Sequence, residues 1–213
     1  MKNEIKIKSE KLAYWYFRLN GFLTFSNFVV HSDYGREQRT DVDILGVRFP
    51  YRAELLENPM IDDEVFTQIT DKPYIVIAEV KSRTCNLNGP WTRKEAKNMH
   101  RVLRAIGAFT SDIIDEAARK LYEEGVYENG LYYLSLFCVG SGINRELQAR
   151  KYKNVPQKTW DGILKFIHNR FENYKEQKSA HSQWDPVGRQ LWDSFRKYKD
   201  EDDFIVKIKP LIL

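Results

Sequence analysis

The chain has 213 residues, with 34 Lys and Arg against 30 Asp and Glu and a formal net charge of +4. That length suits one domain, or one domain with an appendage, and a hydrophobic content of 42% is enough to build a core, which excludes a disordered tail or a fibrous chain. The 2 cysteines, Cys85 and Cys138, supply neither a disulfide framework nor a cysteine zinc site and are expected as reduced thiols.

The opening residues interleave charge without an apolar targeting stretch. The most apolar segment, Leu131 to Val139, is too short to cross a bilayer. A cytoplasmic protein with no membrane partner is expected. Ser9 is placed to cap a first helix that ends at Asn20-Gly21, and both flanks of this helix are apolar, so burial on more than one face is expected. Phe22 to His31 reads as a strand, Ser32 to Gly35 as a turn, and Thr40 to Phe49 as a second strand stopped by Pro50. The next stretch, Tyr51 to Asp71, carries six acids against one base and reads as surface loop with a short helix.

Pro73 to Lys81 is a third strand, with a continuous Tyr74-Ile75-Val76-Ile77-Ala78 run suited to a central position covered on both faces. A loop over Asn86 to Pro90 leads to a helix from about Thr92 to Ile106. A second helix begins at a Ser111 cap and ends before Gly125, and Leu131 to Val139 is a fourth strand. The remainder is expected to be helical, with one helix after Thr159 and another after Asp185-Pro186. The tail from Phe204 to Leu213 reads as a short edge strand. The order α-β-β-β-α-β gives the fold class α/β: a mixed central sheet with helices on both sides over residues 1–142. A mainly helical C-terminal extension, residues 143–213, packs on that core.

One constellation carries chemistry. Side chains along a strand repeat every two residues, so Asp41 and Asp43 share a face, as do Glu79 and Lys81. If the two strands are neighbours, carboxylates and an ammonium converge at strand ends, where unpaired charge is costly. A hard divalent cation relieves the carboxylate repulsion, and a lysine beside it meets phosphate charge or holds a water. Asp41 has two readings, a second metal contact or an ion pair with Arg39.

Thr40-Asp41-Val42-Asp43-Ile44-Leu45 followed by Ala78-Glu79-Val80-Lys81-Ser82 resembles the PD-(D/E)xK nuclease superfamily, with its restriction-endonuclease-like fold. Glu10, on a helix shortly before Leu19-Asn20-Gly21-Phe22, is similar to the upstream acid of Holliday-junction resolvase-type nucleases. No Pro precedes Asp43, the acidic stretch lengthens the link between the motif strands, and the nearest amide on the following helix is Asn98. The resemblance implies that Asp43, Glu79 and the Val80 carbonyl bind Mg²⁺, with Mn²⁺ able to substitute. It implies that Lys81 orients or activates the attacking water, and that Glu10 holds a metal-bound water or a second ion. Glu10 also reads simply as an acid favoured at a helix N-terminus.

From Lys81 to Arg104 there are seven bases against one acid. On the expected helix Arg93, Lys97, Arg101 and Arg104 form one stripe, suited to the phosphate backbone. Lys151, Lys153 and Lys158 form a second patch, and Trp91 and His100 are either further contacts or core. His31, His100, His168 and His181 are too scattered for a histidine zinc site, and Gly140-Ser141-Gly142 reads as a turn. The expected function is a metal-dependent DNA endonuclease acting as a homodimer, with RNA left open as a substrate. The alternative is a non-catalytic nucleic-acid-binding or regulatory protein on the same fold.

Overall fold

The computed structural model describes residues 6–34, 36, 38–149, 151–179 and 185–213. Gly35 of the expected turn and His181 lie outside the described residues. In chain order the elements are α1 (Ser9–Leu19), β1 (Leu23–His31), β2 (Gln38–Arg48), α2 (Glu64–Thr67), β3 (Tyr74–Val80), α3 (Gly89–Thr92), α4 (Asn98–Ile106) and α5 (Ser111–Glu124). There follow β4 (Val126–Glu128), β5 (Tyr133–Gly140), α6 (Arg145–Ala149), β6 (Gln157–Thr159), α7 (Trp160–Asn173), α8 (Lys175–Ser179), α9 (Pro186–Lys197) and α10 (Glu201–Ile208).

The architecture is α/β, with a mixed, open sheet of six strands in the order β1-β2-β3-β5-β4 and β6 paired to β5. The β1–β2 and β2–β3 pairs are antiparallel and the β3–β5 pair is parallel. Every residue of β3 is buried, as its unbroken apolar run requires of a strand covered on both faces. Ile44, Tyr74, Val76, Ala78, Phe137 and Val139 face α1, α7, α9 and α10. Leu45, Ile75, Ile77, Leu134, Leu136 and Cys138 face α3, α4 and α5. Among the described residues no helix is long and apolar enough to cross a membrane.

Helix α1 buries Leu12, Ala13, Trp15, Tyr16, Phe17 and Leu19, so it is enclosed on several sides, as its two apolar flanks predict. Its start differs from expectation: Lys8 is the N-cap, and Ser9 is already helical, buried, and does not cap. It stops at Asn20, whose amide donates to the Tyr16 carbonyl (2.9 Å) and whose Oδ1 accepts from the Asp63 N–H (2.7 Å). Gly21 follows with φ +79°, and a Cβ there would lie 2.1 Å from Arg52 Nε, so both backbone and packing require glycine. At α9 the expected Asp185 cap is present, accepting from the Gly188 N–H, and α7 starts after Thr159 as expected, with Thr159 accepting from the Gly162 N–H.

Three expectations are corrected. The acidic stretch is not all surface: Asp62 and Asp63 are buried, and so is Phe66 on α2. Asp62 accepts from Arg48 (2.7 Å), Arg52 (3.1 Å) and Arg170 (2.9 Å), which neutralises both it and the buried guanidinium groups. The tail from Phe204 is helical, because Asp200 caps it, three acids occupy the first turn, and Phe204 and Ile208 bury one face. Only an isolated Ile7–Ile212 bridge remains of the expected edge strand. The basic helix is broken: α3 and a 3₁₀ turn (Lys94–Ala96) precede Lys97, which is left-handed at φ 51°, and α4 starts only at Asn98. Pro90 starts helix early and the buried Trp91 is drawn inward, so the two turns do not run on.

Candidate active site

The register of β2 against β3 runs from Arg48↔Tyr74 to Ile44↔Ala78, which brings Asp43 opposite Glu79 where the ladder ends. Asp43 Oδ2 accepts from the Val80 N–H at 2.7 Å, so the two motif strands are joined through the carboxylate itself. Leu45 and Ile77, the pair before them on this face, lie in the core under α3–α5.

Glu79 is 5% exposed, and its carboxylate is held from several sides. Oε1 accepts from the Lys81 ammonium and the Asn88 amide, and Oε2 from the Trp91 indole N–H. Sequence reasoning missed Asn88, and left Trp91 between a substrate contact and core. The structure makes Trp91 a buried donor to the candidate site. No motif spacing marks either residue; the cue is only that a buried Glu needs donors and that the loop after β3 is the nearest source of them.

Burial pushes the Asp43 carboxyl up to about 6 from its ordinary 3.8; the charges of Glu79 and Asp41 add to the rise, and the Val80 N–H and Lys81 oppose it. The rise is chiefly the cost of burying this carboxylate, with a second carboxylate beside it adding to that cost. Asp41 is exposed and makes no ion pair with Arg39 among the described residues.

Asp43 also lies where strand geometry changes. Asn27, between the Ser26↔Ile44 and Phe28↔Val42 pairs, stands across from it and is left-handed at φ 53°, which is uncommon for a non-glycine residue inside a strand. Beyond this point β1 and β2 turn their apolar side chains the other way: Val30 and Val42 join the core under α3–α5, whereas Phe22 and Ile44 belong to the core under α1. Glu10 lines a groove with Lys8, Lys11, Ser26 and Asn27 beside this bend. The structure therefore brings Asp43, Glu79, Val80 and Lys81 together and sets Glu10 in the adjoining groove.

The donor set suits a hard cation. Two carboxylates and the Val80 carbonyl are oxygen ligands, and a carboxylate has about four acceptor positions, so the three donors on Glu79 leave capacity for one more contact. No group of three His, Cys, Asp or Glu side chains stands together among the described residues, so the third protein ligand would be backbone.

Of the expected basic residues, Arg93, Lys97 and Arg104 are exposed. Arg101 is turned partly inward, donating to the Ala96 carbonyl (3.2 Å) and facing Asp33 at 3.6 Å. With the helix broken at Lys97 the four do not make a single helical stripe. Lys158 is bound to Asp63 at 2.7 Å, which removes it from the second patch. His100 lies 3.6 Å from Asp115, and the Cys85 and Cys138 thiols are free and buried. No family model matches this chain, and no curated protein or solved structure matches it.

Proposed function

We propose that this chain is a divalent-metal-dependent endonuclease that hydrolyses phosphodiester bonds in DNA, built on a restriction-endonuclease-like version of its α/β sheet. The observation that carries the reading is the meeting of Asp43 and Glu79 at the end of adjacent strands, with Lys81 on Glu79 and the Asp43 carboxyl pushed up to about 6. Asp43, Glu79 and the Val80 carbonyl would hold Mg²⁺ or Mn²⁺. Bound there, the ion would supply charge neutralisation and a polarised water.

Lys81 then has two partners to choose between. Without substrate its ammonium neutralises Glu79; with a phosphodiester present it can donate to a phosphoryl oxygen, where charge grows in the transition state. Asn88 and Trp91 keep Glu79 oriented through that exchange. Glu10 would hold a water at the groove end. Arg93, Lys97 and Arg104 would contact the DNA backbone, with Arg101 restrained by its internal bonds. A homodimer in the cytoplasm would cut both strands with two such sites.

One observation favours a second reading. Glu79 already has three internal donors, which is also how a purely structural carboxylate is satisfied, and a non-catalytic nucleic-acid-binding protein would need no more. Nicking of supercoiled plasmid separates the two. The wild type is expected to nick with Mg²⁺ or Mn²⁺ and not with EDTA, and Lys81→Ala is expected to lose nicking while keeping its DNA affinity. Absence of nicking by the wild type, or wild-type nicking by Lys81→Ala, would remove the proposed mechanism.

A further inference from the structure

Strand β1 is an edge of the sheet, with β2 on one side of it and no strand on the other. In an antiparallel ladder alternate residues turn their N–H and C=O groups away from the paired strand. Among the described residues, no backbone hydrogen bond joins Leu23–His31 to any element but β2, so this outer row is open. Edges are commonly protected by charge, by proline or by a covering element. Here there is no Asp, Glu, Lys, Arg or Pro between Arg18 and Asp33. Leu23 and Phe25, which pair with Val47 and Leu45 on the α3–α5 face, are 66% and 69% exposed. The regular part of the edge runs from Leu23 to the left-handed Asn27, and its midpoint is Phe25.

Helix α1 runs back along the same edge on the other face. One groove of about 560 Å³ sets Tyr14 and Arg18 beside Leu23, Thr24 and Phe25, and a second of the same volume sets Glu10 and Lys11 beside Ser26 and Asn27. Tyr14 is therefore level with the middle of the open segment. Glu10 and Arg18 lie on either side of it, each about one turn away. Neither forms an ion pair among the described residues; Arg18 donates instead to the Tyr14 hydroxyl at 2.8 Å.

We propose that the occupant of this edge is a second copy of the chain, with β1 pairing antiparallel to β1 of its partner about a twofold axis through Phe25. Phe25 then stands opposite Phe25 of the partner subunit, an apolar cross-strand pair. The rotation keeps both α1 helices on one face of the joined sheet. Because α1 lies chiefly over β1 and β2, the two helices stand about two strand spacings apart, roughly 10 Å. That is a helix-packing distance, about 8–10 Å. They run antiparallel with Tyr14 at the centre, so Glu10 meets Arg18 of the partner subunit, and Arg18 meets the partner's Glu10. The uncharged strand adds no like-charge repulsion, and two unpaired charges gain a counter-charge. A strand from a different protein would find the same open edge, but would leave the matched placement of Glu10 and Arg18 unused. The interface fits the homodimer of the nuclease reading but rests on neither metal nor cleavage: a protein that dimerises without nicking keeps it, and one that nicks as a monomer loses it.

Sedimentation equilibrium of the full chain in EDTA, without DNA, tests it from micromolar to hundreds of micromolar protein. The readout is mass, because Glu10 also stands beside the candidate active site. The wild type is expected to rise from 25.3 kDa to twice that mass with concentration. Glu10→Arg and Arg18→Glu are each expected to weaken dimerisation at least about tenfold, since each turns two attractive pairs into repulsive ones. The double variant Glu10→Arg/Arg18→Glu is expected to recover most of the wild-type affinity. Mere damage to α1 predicts the opposite, because both changes oppose the helix dipole and the double variant would then be the worst of the three. Phe25→Asp, at an exposed position, is expected to abolish the dimer by placing two carboxylates face to face, whereas Leu56→Asp, 83% exposed elsewhere on the surface, is expected to leave it intact. A wild type that stays a monomer would leave the edge to a strand of another protein and overturn the proposal. Wild-type dimerisation in Phe25→Asp, or a double variant no tighter than its single parents, would overturn it as well.

Discussion

Asp43→Asn is expected to make the protein more stable near neutral pH while destroying the site. Burial and the neighbouring acids hold the Asp43 carboxyl at about 6 in the folded protein against 3.8 ordinarily, so the folded state binds this proton more tightly than the unfolded state. A difference of about two units corresponds to roughly 3 kcal/mol, and because the carboxyl is only partly buried, solvent screening reduces this to about 1–2 kcal/mol. The sign follows from linkage: relative stability is fully present below pH 3.8 and is lost as pH rises through about 6. Asparagine carries no charge, and its carbonyl still accepts from the Val80 N–H, so the variant avoids that loss. Guanidinium unfolding of both proteins across the range from mildly acid to mildly alkaline pH measures it. The gain should be small at the acid end and complete on the alkaline side. Mg²⁺ should stabilise the wild type at alkaline pH and not the variant. A variant less stable than wild type at alkaline pH, or a gain that does not change with pH, would refute the electrostatic account of this site.

Asp62→Ala leaves Arg48 and Arg170 buried without their carboxylate and should cost about 3–5 kcal/mol, seen as a fall of roughly 6–20 °C in Tm by circular dichroism; a fall within error would show the cluster to be inert. Trp91→Phe removes the indole donor to Glu79 and should cost about 1.5–3 kcal/mol in urea unfolding, with a parallel loss of metal-dependent nicking; unchanged nicking would count against a positioning role. Arg93→Ala/Arg104→Ala should weaken DNA binding alike for all sequences and flatten the salt dependence of affinity by about one unit per lost phosphate contact, measured by filter binding at several salt concentrations. An unchanged slope would move the DNA footprint elsewhere.

Local signals carried well into three dimensions. The apolar run of β3, the Asn20-Gly21 stop of α1, the start of α7 after Thr159 and the cap at Asp185 each depend on neighbours in sequence, and each is present. The pairing of Asp43 with Glu79 was legible because strand period and charge placement suffice to bring two strand ends together. What was not legible depends on partners distant in sequence. Asp62 reads as one more surface acid until Arg48 and Arg170 arrive from two other elements. The tail from Phe204 satisfies both strand and helix periods, and the Asp200 cap decides between them. Strands β4 and β6 are three residues each, too short for any periodicity to show. The break at Lys97 follows from burying Trp91 against Glu79, a contact that no helical pattern encodes.

The parallel pairing at the centre of the sheet sets an order on how the chain reaches this structure. β1 and β2 are joined by a short connection and can pair early, whereas Tyr74 on β3 must wait for Tyr133 on β5, with α3, α4 and α5 crossing between them. Until that crossover closes, one side of β3, buried along its whole length in the folded protein, is an open ladder of N–H and C=O groups. During refolding this edge is the natural place for a second chain to add. Yield should therefore fall with protein concentration, because aggregation depends on concentration whereas closure of the crossover within one chain does not.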